Sequence, residues 1–204
     1  MNFFVWSQLA LVCLLGAMSP GPSLALIIHN SINYNRLSGI SASIGHGFGI
    51  CIYAIATVFL LEFILQNSKK IFFFIQFCGL IFLIILGLFF LLKKYKENKI
   101  ETYKINSNSF SQGFIIAIIN PKILVWFTAI YSHFININVS IINKTILILT
   151  PSIIDAIWYS LVAILVTGYG LKEFFNKRKF IIEKIIGVLL IFIAFSLIYS
   201  LINF

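Results

Sequence analysis

Ser19-Pro20-Gly21-Pro22-Ser23 lies inside an apolar run that begins near Phe3 and continues to about Ile28. Each proline removes a helical hydrogen bond and drives its ring against the preceding turn, so two prolines around a glycine break or sharply kink a helix. Hydrocarbon makes such a break costly, because freed backbone groups must be satisfied by protein or water. The segment is therefore expected to line a cavity or lie buried against protein. Ser19, Pro20, Gly21 and Pro22 are candidate binding residues.

The rest of the chain shows why hydrocarbon is the relevant solvent. Its 204 residues are 60% hydrophobic and 10% charged, whereas soluble domains are about 25% charged; mean hydropathy is +1.03. This composition predicts an all-α membrane protein in the lipid bilayer, read as a single polytopic domain over 1–204 because no polar block is long enough to bury its own core. The net charge of +9 falls in short loops between apolar runs, where it reads as a topology signal and not as a nucleic-acid surface. No Lys or Arg precedes Arg36 and no clean small-x-small site follows the first run, so that run is read as a retained helix, not a signal peptide. Cys13, Cys51 and Cys78 stand in separate apolar segments without C-x-x-C spacing, indicating neither a disulfide framework nor a zinc site. No metal and no cofactor is expected.

Runs of about twenty apolar residues suffice to span a bilayer. Six are predicted, over about 3–28, 39–65, 71–92, 112–135, 145–169 and 181–203. The charged connection 93–111, with Lys93, Lys94, Lys96, Lys99 and Lys104, divides the chain into three-helix halves, 1–92 and 112–204. Arg36, those lysines, and Lys172, Lys177, Arg178, Lys179 and Lys184 lie on one side, against Lys69, Lys70 and Lys144 on the other. The richer side is expected to face the cytoplasm, placing loops 29–38, 93–111 and 170–180 inside and both termini outside. Three helices is an odd number, so the second half enters the membrane in the reverse sense, as inverted-topology repeats do.

Within the second span, Gly45-His46-Gly47-Phe48-Gly49 carries a G-x-x-x-G face suited to close helix packing, within the chain or in a homodimer. His46 is a candidate pathway-lining residue, since an intramembrane imidazole needs a reason to be there. Glu62, near the outer end, has the interface or Lys69 within reach. Gly79 and Gly87 of the third span share a face and read as packing positions.

Asn120-Pro121-Lys122 falls about nine residues into the fourth span. Asn is a strong N-cap and Pro fits the first helical position, so a half-helix is expected to start here with its amides and positive dipole end exposed to a carboxylate. An ammonium at that depth pairs, faces water or snorkels to the interface, and Lys122 is read either as part of the site or as snorkelling. Interrupted spans at corresponding places in two halves point to a transport site. In the fifth span, Thr150-Pro151 reads as a helix start. Asp155, with apolar neighbours, must face the bundle interior, where Lys122 is the expected partner; it is a candidate for substrate binding and for proton coupling, or a structural ion pair. Trp158 and Tyr159, one turn on, supply an aromatic wall or pack; Trp158 is a candidate lining residue. The last span, from Phe180, reads as uniformly apolar, closing the bundle.

Three other classes fit less well. A divalent-metal exporter needs several ligands close together, whereas Asp155, His46 and Cys51 are scattered. A thiol-redox carrier needs two exchanging cysteines, and Cys13 and Cys78 have no reason to meet. An enzyme needs a nucleophile and base at recognisable spacing, and none is evident.

The chain resembles the LysE/RhtB family of bacterial amino-acid exporters. The residues that carry this are Ser19-Pro20-Gly21-Pro22-Ser23, Gly113-Phe114, Asn120-Pro121-Lys122 with Trp126-Phe127, Asp155, Gly79 to Gly87, and Gly187, in the family's order along nearly the whole chain. Asn35-Arg36 stands where a Gly-Arg pair is usual, and Ser132-His133-Phe134 where Pro-x-Phe is. The resemblance implies export of amino acids or related small metabolites across the inner membrane, coupled to the proton gradient. Asn120 and Lys122 would favour the substrate carboxylate, Asp155 would bind its ammonium or relay a proton, and one half would rock against the other.

Overall fold

The computed structural model describes residues 1, 3–92, 108–135, 140–169 and 172–202, and within them not the side chains of 121, 125, 169, 172–179 and 200–202. The lysine-rich stretch 93–107 and residues 170–171 of the predicted cytoplasmic loops lie outside the described residues. The described chain is helical: α1 (Phe3–Met18), α2 (Pro22–Asn33), α3 (Arg36–Asn67), α4 (Lys69–Leu92), α5 (Ser109–Ile119), α6 (Pro121–Tyr131), α7 (Ile141–Tyr169) and α8 (Lys172–Ile202). Among the described residues four helices are each long and apolar enough to cross a membrane, and the bent pairs α1–α2 and α5–α6 bring the number up to six if each is one span.

The bends fall at the prolines. Ser19 N–H makes the last bond of α1, to Leu15 O at 3.0 Å. Pro22 then opens α2 with Gly21 as an extended N-cap, and the axis turns by 62°. Asn120 caps α6 by accepting from the Lys122 N–H at 3.1 Å, Pro121 takes the first turn, and the axis turns by 60°. The freed carbonyls find donors: Tyr53 Oη bonds Ile118 O at 2.6 Å, and Lys122 Nζ reaches Ser19 O at 3.3 Å. The first span runs on to Asn33, not Ile28, before Asn35 caps α3 through the Ser38 N–H at 2.8 Å.

Pro151 departs from expectation. It lies inside α7 and does not start it. A proline leaves the carbonyl four residues back without its helical donor, here that of Leu147, and the Tyr131 hydroxyl supplies the missing bond at 2.7 Å. A donor from another helix keeps α7 continuous.

Small residues set the packing. Side chains added at Gly45 and Gly113 would run into the Phe110 and Ala42 carbonyls, and one at Gly49 would meet Ala117 Cβ at 2.5 Å, so α3 and α5 touch along their backbones. The Gly45/Gly49 stripe is thereby filled by α5 of the same chain and is not a dimer face. Gly79 packs on Ala129 of α6, and α4 crosses α8 where Gly87 and Gly187 meet. Phe73, Phe74 and Phe77 of α4 and Phe192 and Phe195 of α8 point outward, as hydrocarbon-facing surfaces do. Glu62 pairs with Lys144 of α7 at 2.6 Å, not with Lys69.

Candidate functional site

The two bends face each other across a partly open cavity. Gly16, Ser19, Gly21 and Ser23 line it from the first break, and Asn120, Lys122, Ile123, Trp126, Phe127 and Tyr131 from the second. His46 and Ile50 of α3 and Pro151, Asp155 and Tyr159 of α7 close the remaining sides. One wall is polar and carries backbone ends; the other is aromatic.

Lys122 Nζ donates to Ser19 Oγ at 2.6 Å as well as to the Ser19 carbonyl, so it joins the two breaks and does not snorkel away. The expected Lys122–Asp155 pair is not formed. Asp155 Oδ2 instead meets His46 Nδ1 at 2.6 Å, and a second buried carboxyl group, that of Glu183, lies on α8. Glu183 is only 3% exposed, so the last span is not uniformly apolar; a lone acid in its run was the signal for it.

His46 Nε2 lies 2.8 Å from Ser23 Oγ, and Asn120 Nδ2 donates to the same oxygen at 3.3 Å. A continuous hydrogen-bonded chain therefore runs Asn120–Ser23–His46–Asp155, through α6, α2, α3 and α7. All four are buried, His46 at 1% and Asp155 at 6% exposed. The Tyr159 ring meets the imidazole edge-on, 5.0 Å between centroids.

Of the residues singled out from sequence, Ser19, Gly21, His46, Asn120, Lys122 and Asp155 border the cavity. Pro20 and Pro22 shape the break without lining it, and Pro121 opens α6. Trp158 does not line the cavity; it packs against the cluster of Leu24, Ile27 and Val162. Tyr159, at i+4 from Asp155, takes the lining position. Sequence reasoning left out Ser23, Cys13, Trp126, Phe127 and Tyr131. Lys122 and Trp126 stand four apart, which is the signal that could have found the indole.

The weighed alternatives change accordingly. His46 and Asp155, distant in sequence, meet in space, but among the described residues no three His, Cys, Asp or Glu side chains gather as a metal site. Cys13 borders the cavity whereas Cys78 is exposed on α4. A serine, an imidazole and a carboxylate do come together at Ser23, His46 and Asp155, although no spacing advertised it.

Residues 14–201 match the family described as LysE type translocator. The chain is 24% identical over 185 residues to "Uncharacterized membrane protein YrhP" of Bacillus subtilis (strain 168), covering 84% of this chain and 88% of that protein. No solved structure matches.

Proposed function

Because the chain belongs to the LysE type translocator family, a family of membrane transporters, we propose that it exports amino acids or closely related metabolites across the bacterial inner membrane, driven by the proton gradient. Both termini then face outward, with loops 29–38, 93–111 and 170–180 in the cytoplasm, as the lysine and arginine bias requires. The reading rests on one observation above others: an ammonium, that of Lys122, held by Ser19 at the meeting of two broken helices.

An amino-acid carboxylate entering the cavity takes the place of the Ser19 hydroxyl as partner of Lys122, a charge-assisted bond stronger than the one it replaces. The amides at the start of α6 and the Asn120 side chain add donors at a positive dipole end. Asp155, already bound to His46, serves the proton more than the substrate ammonium, for which the faces of Trp126, Phe127 and Tyr131 are suited. Their apolar surface also accommodates a substrate side chain.

The test is untargeted metabolite profiling of medium from dipeptide-fed cells with and without the protein. One or a few amino acids are expected to accumulate faster with it, and Asp155→Asn is expected to abolish the gain while folded protein stays in the membrane. Unchanged medium, or full export by Asp155→Asn, would contradict the assignment.

A further inference from the structure

We propose, on the premise that the cavity is a proton-driven export site, that the proton is carried by the His46–Asp155 pair and that the Ser23 hydroxyl passes its arrival to the break between α5 and α6. The hydrogen bonds at Ser23 carry this reading. A serine hydroxyl has one hydrogen to give and two lone pairs to receive with. Around it stand Asn120 Nδ2, which only donates, and His46 Nε2.

With one proton on the pair, His46 Nδ1–H donates to Asp155 Oδ2, and the bare Nε2 accepts the Ser23 hydrogen. Asn120 then fills one lone pair of Ser23. When a second proton passes from cavity water to Nε2, the imidazole becomes an imidazolium beside a carboxylate, and its new N–H points at Ser23 Oγ. Ser23 must now accept where it donated. Its own hydrogen turns away, and its oxygen receives the imidazolium N–H beside the Asn120 amide, so a stronger, charged donor competes with the Asn120 bond. Returning the proton to water restores the first arrangement, so the cycle conserves atoms and charge.

Asn120 is the residue through which this reaches the substrate. The same side-chain amide caps α6 with its oxygen, at the Lys122 N–H, while its nitrogen holds Ser23. A change at Ser23 thus acts on the start of α6 and on Lys122, which grips Ser19 across the cavity. Proton and substrate carboxylate are linked by a handful of hydrogen bonds. The other titratable groups facing the cavity are Cys13 of α1, Lys122 and Tyr131 of α6 and Tyr159 of α7. Among them histidine is the side chain that ordinarily changes charge near neutral pH, and a coupled pair takes up its protons as a unit.

The experiment uses the full chain in phospholipid nanodiscs, labelled with ¹⁵N at histidine and asparagine, with His29→Gln, His133→Gln and Asn120→Gln for assignment. As the pH is lowered from alkaline to acid, the His46 ring nitrogens are expected to pass from the one-proton to the two-proton form. The Asn120 side-chain amide is expected to shift with the same midpoint. In Ser23→Ala, His46 still titrates but Asn120 no longer follows. In cells, the residual export of His46→Gln loses its dependence on external pH. His46 fixed in one form across this range, or Asn120 following pH equally in Ser23→Ala, would overturn the proposal. So would phosphonylation of Ser23 by a fluorophosphonate, with loss of fluoride, which would make it a nucleophile. If His46 and Asn120 titrate together but no amino acid is exported, the substrate assignment falls and the coupling stands.

Discussion

Lys122 and Ser19 stand 103 residues apart and meet at 2.6 Å, closing the cavity with the ammonium that we assign to the substrate carboxylate. A hydrogen bond to a charged group contributes about 1.5–3 kcal/mol, and lost transition-state stabilisation of that size lowers a rate roughly ten- to hundredfold. Lys122→Met is therefore expected to reduce efflux by about that factor, with Lys122→Arg intermediate because its planar fork does not reproduce a point charge; initial rates of efflux from preloaded cells measure both. At this scale the sequence disclosed Lys122 and Asp155, which are expensive in apolar runs, and passed over the buried Glu183. It did not disclose who pairs with whom. His46 reaches Asp155 across 109 residues, and only the crossing of α3 and α7 decides that they meet.

Proline positions announced two breaks correctly and misled at the third place. Pro22 and Pro121 each open a new helix behind an extended cap residue, Gly21 and Asn120. Pro151 does not, because the Tyr131 hydroxyl replaces the lost donor at Leu147 O. Tyr131→Phe should then destabilise the protein by about 1 kcal/mol, and more than Tyr34→Phe at the exposed end of α2, read as a lowered midpoint of thermal unfolding in detergent. Close helix contacts were also readable: Gly113 has the Ala42 carbonyl where a methyl would go. Overpacking of a fitted contact costs about 1–3 kcal/mol, so Gly113→Ala should lower the unfolding midpoint by more than Gly168→Ala, whose added methyl would meet only the flexible Arg36 side chain. An unchanged midpoint in Gly113→Ala would mean that α3 and α5 do not touch as described.

At the scale of the whole molecule, the strongest packing joins helices on opposite sides of the central connection: α3 against α5 and α7, and α4 against α8. The sequence suggested two three-helix bodies rocking past one another, but helices interlocked in this way favour movement at the two bends instead. The all-helical membrane class came from hydropathy alone, since long apolar runs in a bilayer must satisfy their backbone internally. The cavity did not, since its walls are assembled from five helices and two breaks. The central claim is that the broken segments border a water-accessible chamber within the membrane. Reaction of a charged methanethiosulfonate reagent with Ser19→Cys tests it most directly, in a chain whose three native cysteines are replaced by alanine, with Phe74→Cys on the outer face of α4 as reference. The account predicts rapid labelling at position 19, slowed by an exported amino acid, and none at position 74. Equal inertness of both positions would contradict it.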